Sequence, residues 1–386
     1  MKQKYSLWFS FIGAIFVLFG GLGQTIPGLL LILLSLFYPP FFKSYVKEIK
    51  TLEPQKQFLP LISFAFVIWA ILATLIVAPR NINAWGTALG LFIVVFVAFF
   101  AGLVARKTNE ELFWEFWVIT SILATAYIFY DKYIRGARRA SLLVGCNAAG
   151  TLLLIALSVF LATLYKKDKP KQRLFYAIFS LLAIYGILLT ASRAAWVGLI
   201  ALFVSLPLFG KKTRKLTVFI LCACILLGVL IYSVPFWRLR FANMFVLEKN
   251  SARINSYKAA IDMMLHHPFG IGLSNFQESY RNYIPEGQTP LSHAHNIYLQ
   301  FGAELGLIGM LFSIAIYISI LYMCYKLAKK KPFYGPIGAG FFAVVIRELF
   351  DCTTLGLSVA SFIWFFFGYI CAEYILTFGE DTNSVK

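Results

Sequence analysis

The sequence predicts an all-α polytopic membrane protein of about twelve transmembrane helices with one large extracytoplasmic loop. Three observations carry that expectation. Hydrophobic residues make up 60% of the 386 positions and charged residues only 13%, a balance too apolar for a soluble globule. Apolar runs long enough to cross a bilayer as helices, roughly 20 residues each, recur along the whole chain. The lysines gather in the short polar gaps between those runs, as the excess of positive charge on cytoplasmic loops requires. The net charge of +18 therefore reads as topology, and nucleic acid is excluded as a partner.

In chain order the spans fall near 6–21, 23–42, 58–78, 84–105, 112–130, 140–165, 174–190, 193–209, 215–234, 297–325, 333–350 and 355–377. The first follows Lys2 and Lys4 without a small-residue cleavage site, so it reads as a retained helix with a cytoplasmic N-terminus. The chain then divides into transmembrane helices one to nine over 1–234, the large loop over 235–296, helices ten to twelve over 297–377 and a cytoplasmic tail over 378–386. The six cysteines show no metal-ligand spacing, and Cys222 and Cys224 fall inside an apolar run, where packing is the expected role.

Alternating sides from a cytoplasmic N-terminus puts the lysine clusters at 43–56, 166–171, 211–215 and 326–331 inside. The same alternation puts Arg80, Arg135, Arg138, Arg139, Arg193, Arg238, Arg240, Arg253, Arg281 and Arg347 on or near the outer side. Topology alone does not separate the two residue types, because either serves as a topogenic charge. Guanidinium presents a fixed fork that matches phosphate oxygens in pairs and keeps its charge when partly desolvated, whereas a buried lysine can lose its proton. A lipid-linked phosphate or diphosphate is the natural ligand. For any one of these arginines the competing role is a pair with a lipid headgroup, or with Glu348 and Asp351.

All four histidines lie in the 235–296 loop. Ser251–His267 reads as an amphipathic helix with Ile254, Tyr257, Ile261 and Met264 or Leu265 on its apolar face and Arg253 near its start. His267-Pro268 ends it and Gly270-Ile271-Gly272 turns the chain. A short helix over Asn275–Tyr283 precedes Ser292–Gly309, where a polar turn with His293, His295 and Asn296 runs straight into an apolar helix. Ser292 or His293 is the expected cap. Gly302, Gly306 and Gly309 at helical spacing predict a second helix packed closely against this one.

These residues resemble the O-antigen ligase and polymerase superfamily of bacterial envelope enzymes. The resemblance rests on Arg253 followed by a helix, HPFGIGLSNF at 267–276, and His295-Asn296 followed by Gly306 and Gly309. Ser192-Arg193-Ala194-Ala195-Trp196 is similar to the family's Ser-Arg-x-x-Trp segment. Gly145-Cys146-Asn147-Ala148-Ala149-Gly150 is similar to its Gly-Asn-Pro-Asn segment, with the first Asn and the Pro absent. The resemblance covers about Arg135 to Leu327.

It implies a GT-C-like membrane glycosyltransferase that uses no metal and no cofactor. The donor would be a glycan on undecaprenyl diphosphate, and the acceptor a lipid- or glycan-linked sugar hydroxyl. Transfer would take place at the outer face of the bacterial cytoplasmic membrane, among membrane lipids. His295 would be the general base, since a neutral imidazole titrates near working pH. Arg193 and Arg253 would hold the diphosphate and stabilise its growing charge. Arg135, Arg138, Arg139, Trp196, Asn296 and His293 would line the lipid-diphosphate and glycan site. The single large outer loop favours a ligase over a polymerase of capsular or teichuronic type. A flippase or transporter is the reading from another class, although no repeat relates the two halves.

Overall fold

The structure is a computed structural model describing residues 54–379 apart from 100–101, 104–105, 107–109, 143–144, most of 211–230, 245 and 287–288. The expected spans near 6–21 and 23–42, and most of that near 215–234, lie outside the described residues. What is described is helical, with one isolated bridge, Leu142 to Gly145. The helices are α1 (Pro54–Val77), α2 (Ile82–Ile93, running on through a π turn at Val94–Ala98), α3 (Glu110–Tyr133), α4 (Cys146–Lys166), α5 (Pro170–Leu189) and α6 (Arg193–Phe209). Then come α7 (Pro235–Ala242), α8 (Ser251–His266), α9 (Phe276–Tyr280), α10 (Ile297–Lys330), α11 (Tyr334–Arg347) and α12 (Leu357–Gly379).

Five stretches among the described residues are long and apolar enough to cross a membrane: Phe58–Val77, Cys146–Lys166, Pro170–Leu189, Ile297–Lys330 and Val359–Phe378. This is a membrane protein. The helix expected over 140–165 starts later, because residues before Cys146 form a turn with Gly145 at φ +88°.

The chain forms two compact units. One gathers residues up to Phe116, Ser256–Met323 and everything from Thr354; the other gathers Trp117–Asn255 and Cys324–Thr353. In the second, α6 packs on α11, and α4 packs on both α5 and α11. Arg347 ends α11 fully buried and donates to Glu348 at 2.9 Å, to the Asn147 carbonyl at 2.8 Å and to Thr353. Asp351 adds a further contact at 3.5 Å. Arg347 is therefore an interior charge matched by two carboxylates, not a member of an outer phosphate site.

The first unit is organised around a break in α10. Gly306 sits at φ 72° and ψ −178° inside the helix, a region that essentially only glycine occupies. The break frees three carbonyls, and the 267–272 turn takes up two of them: Ile271 N–H donates to Ala303 O at 2.9 Å and Gly272 N–H to Glu304 O at 3.0 Å. The Trp69 indole donates to the third, Leu305 O, at 2.9 Å. The Pro-Phe-Gly-Ile-Gly segment is thus a plug for a broken helix. Of the three glycines expected to pack on a second helix, Gly302 does so, where a Cβ would meet Met264 of α8, whereas one at Gly306 would meet the Pro268 carbonyl and one at Gly309 its own helix at Leu305. Gly306→Ala would place its Cβ 2.0 Å from Pro268 O. With backbone strain and overpacking each costing about 1–3 kcal/mol, a clear fall in the thermal denaturation midpoint in detergent is expected.

The apolar face of α8 also differs from the expected one. Ser256, Ala259, Ala260 and Met263 are buried, while Ile261 and Leu265 are exposed. Small side chains let α8 approach Ala294, Ala303, Phe276 and Tyr280 closely, which larger ones at those positions would prevent. At the head of α2, Asn81 accepts from Asn83 N–H at 2.9 Å and Ala84 N–H at 3.2 Å. Its amide donates to Asn275 at 2.7 Å, tying α2 to the same turn.

Candidate functional site

Two groups of polar residues stand out, one in each unit. In the first unit the histidine turn is held from beneath by its own backbone. Asn296, not Ser292 or His293, is the cap of α10: its Oδ1 accepts from Tyr298 N–H at 3.0 Å and Leu299 N–H at 3.1 Å. Ser256 of α8 donates to Ala294 O at 3.1 Å, Tyr257 donates to His295 O at 3.1 Å, and Ala294 N–H donates to Gln300 Oε1 at 2.7 Å. Fixed in this way, His295 adopts φ +54°. A non-glycine residue in the left-handed region costs about 1–2 kcal/mol, and surrounding contacts must over-determine it.

The strain aims the half-buried imidazole of His295 towards that of His293, with ring centroids 4.3 Å apart. His293 Nδ1 and the Ser292 hydroxyl are 2.8 Å apart. His266 and His267 are exposed at the end of α8, where His266 meets the Asp262 carbonyl at 3.0 Å. They take no part in the turn. Asn296 is committed through its oxygen to capping, which leaves its amide as the group that can meet a ligand.

In the second unit four guanidiniums, Arg139, Arg193, Arg240 and Arg253, lie within electrostatic reach of one another. The turn before α6 collects two of them, Arg139 and Arg240. Thr190-Ala191-Ser192 turns with Ala191 at φ +50°, which points carbonyls outward. Arg139 Nε donates to Thr190 O at 3.1 Å and its Nη2 to the Asn147 side chain at 3.1 Å. Arg240 Nε donates to Ala191 O at 2.7 Å, and Arg193 donates to Asn243 O at 3.1 Å. Among the described residues no carboxylate pairs with Arg139, Arg193 or Arg240. Burial, reinforced by the like charges of Arg139, Arg193 and Arg253, lowers the Arg240 pKa from its ordinary value; the neighbouring Cys146 opposes the shift. Like charges gathered on neutral oxygens make a preformed anion site, and two or more forks suit a diphosphate.

Three other expected site residues make different contacts. Arg135 is exposed and pairs with Asp131 at 3.2 Å. Arg138 stacks over the Phe236 ring at 5.6 Å. Trp196 is buried, and its indole N–H meets no acceptor among the described residues. The structure adds Arg240, which the sequence marked only as one outer arginine among ten. Its signal was local: a short helix opened by proline and carrying two arginines between aromatic residues, FWRLRF.

Comparison with known proteins bears on these residues. Residues 178–314 match the family described as O-antigen ligase, a stretch containing Arg193, Arg240, Arg253, His293 and His295. The chain is similar to the ComP-specific O-oligosaccharyltransferase of Acinetobacter baylyi, 23% identical over 68% of this chain and 51% of that protein. It is similar to the teichuronic acid biosynthesis protein TuaE of Bacillus subtilis, 21% identical over 63% of this chain and 55% of that protein. It is also similar to the O-antigen ligase of Escherichia coli K12, 23% identical over 60% of each. The chain thus spans between about half and three fifths of the length of these relatives.

Proposed function

We propose, from the premise that residues 178–314 belong to the O-antigen ligase family, that this chain is a membrane glycosyltransferase of ligase type. It moves a glycan from undecaprenyl diphosphate to a sugar hydroxyl on a lipid- or glycan-linked acceptor. The observation that carries this reading is the group of four arginines, three of which have no carboxylate partner among the described residues. In the proposed reaction the acceptor oxygen attacks the anomeric carbon while the bond from that carbon to the diphosphate oxygen breaks. The hydroxyl proton passes to the His295 imidazole, which the left-handed turn holds in place. The diphosphate leaves with the bonding electron pair, and the guanidiniums stabilise the charge it gains. A diphosphate needs no proton to depart, so one base is enough.

We place the reaction at the outer face of a bacterial cytoplasmic membrane, where a lipid-linked donor and arginines at helix ends meet. The ligase reading is supported by two relatives named as a ligase and an oligosaccharyltransferase. The test is purified full-length protein in detergent with an undecaprenyl-diphosphate glycan. Release of lipid diphosphate only when an acceptor is present supports transfer; release without acceptor, or none with any acceptor, refutes it. If the acceptor that works is a second lipid-linked repeat, the chain is a polymerase.

A further inference from the structure

The first unit contains a cavity of about 500 Å³, within the range of small-molecule sites. Its wall is built from α1, α2, the 273–277 turn, the start and middle of α10, and α12. The polar lining includes Thr87, Ser274, Gln277, Gln300 and Glu304, and the apolar lining includes Phe66, Val94, Ile363, Trp364 and Phe367. Glu304 is buried; its carboxyl group accepts from Phe276 N–H at 3.4 Å and from the Gln300 side chain. Gln300 accepts from Ala294 N–H with its other end. The cavity wall and the histidine turn therefore share a hydrogen-bonded chain running from Glu304 through Gln300 to the peptide between His293 and His295. Ser292, which meets the His293 ring, is also part of the wall.

The charge of the lining sets the ligand class. Among the described residues no lysine, arginine or histidine lines the cavity, and the carboxyl side chain in its wall is that of Glu304. A phosphate would find no cation among these side chains, whereas a hydroxyl can exchange hydrogen bonds with the Glu304 carboxyl group and with the amide and hydroxyl groups around it. The aromatic and aliphatic part of the wall suits a hydrocarbon body.

We propose that this cavity binds the acceptor as a neutral, hydroxyl-rich headgroup on an apolar body, and that the Glu304 carboxyl group hydrogen-bonds its hydroxyls. The assignment rests on the glycosyl-transfer reading and adds the site at which the attacking hydroxyl is presented beside the histidine turn. The two substrates are then sorted by charge: arginines for the diphosphate, a cavity lined by hydroxyl, amide and apolar groups for the sugar.

The test uses the purified full-length protein and a photoreactive alkyl glucoside with a diazirine in its tail. Labelling is expected on 273–277, 300–317 or 354–367, to be competed by plain alkyl glucoside and not by farnesyl diphosphate at the same concentration. Ala360→Trp, filling the cavity, should abolish labelling; Ser313→Phe does the same if the first variant does not fold. Glu304→Gln should raise the half-saturating glucoside concentration about tenfold. Competition by farnesyl diphosphate as effective as by glucoside, or labelling that survives a filled cavity, overturns the assignment. If acceptor-dependent release of lipid diphosphate persists while the cavity fails these tests, the acceptor assignment alone falls. If the cavity binds glucoside selectively while no acceptor supports release, the transferase reading falls and a neutral-glycolipid site remains.

Discussion

Arg193→Ala and Arg240→Ala are each expected to weaken binding of an undecaprenyl-diphosphate glycan by roughly ten- to a hundredfold. The magnitude follows from losing a charge-assisted hydrogen bond, worth about 1.5–3 kcal/mol. Arg193 and Arg240 now spend their donors on backbone carbonyls at 3.1 and 2.7 Å. A diphosphate would supply the counter-charge that these contacts lack. Lysine at either position should restore only part of the affinity, because it keeps the charge and loses the fork. Arg135→Ala is the contrast: its partner is Asp131 and its side chain is exposed, so donor affinity should hardly change. Equilibrium binding with a fluorescent lipid-diphosphate glycan measures all of these. Equal loss in Arg135→Ala would mean that general surface charge, not the Arg139-Arg193-Arg240-Arg253 group, attracts the donor.

His295→Ala should lower turnover by about 10²–10⁴ and leave donor binding nearly unchanged, because the imidazole acts on the acceptor hydroxyl. Because His295 sits at φ +54°, alanine there changes the backbone preference as well as removing the base, and His295→Asn separates the two. Asparagine tolerates the left-handed region but cannot take a proton at neutral pH, so it should be as inactive as alanine while its thermal stability matches the parent. His293→Ala should be mild. Single-turnover transfer with saturating donor reads each variant, and full activity in His295→Asn would remove His295 from the role of base.

Much of this was readable in the sequence because membrane helices announce themselves by length and apolarity. The expected spans 193–209 and 297–325 coincide with α6 and the body of α10. The histidine turn, the short helix after Asn275 and the arginine excess were legible for the same reason: polar residues are conspicuous in an apolar chain. What failed was pattern reading wherever small residues or backbone carbonyls decide the packing. The glycines of α10 looked like a packing stripe, but Gly306 breaks the helix because freed carbonyls can be met by a distant turn and by Trp69. In α8 the buried face follows alanines and Ser256, which hydrophobic periodicity cannot rank above Ile261. Separating Arg139 and Arg240 from Arg135 and Arg138 required knowing which carbonyls the Thr190–Ser192 turn exposes. The link from Glu304 to the histidine turn runs through Gln300, and no periodicity encodes it.

The measurement that tests the central claim most directly is the anomeric configuration of the newly formed glycosidic bond, determined by NMR on product made from a donor of known configuration. Direct attack by a hydroxyl deprotonated by His295 on a carbon whose diphosphate is held by arginines must invert that centre. The product linkage is expected to be opposite in configuration to the donor's; retention would rule out direct displacement, since it requires a covalent glycosyl-enzyme intermediate that this mechanism does not contain.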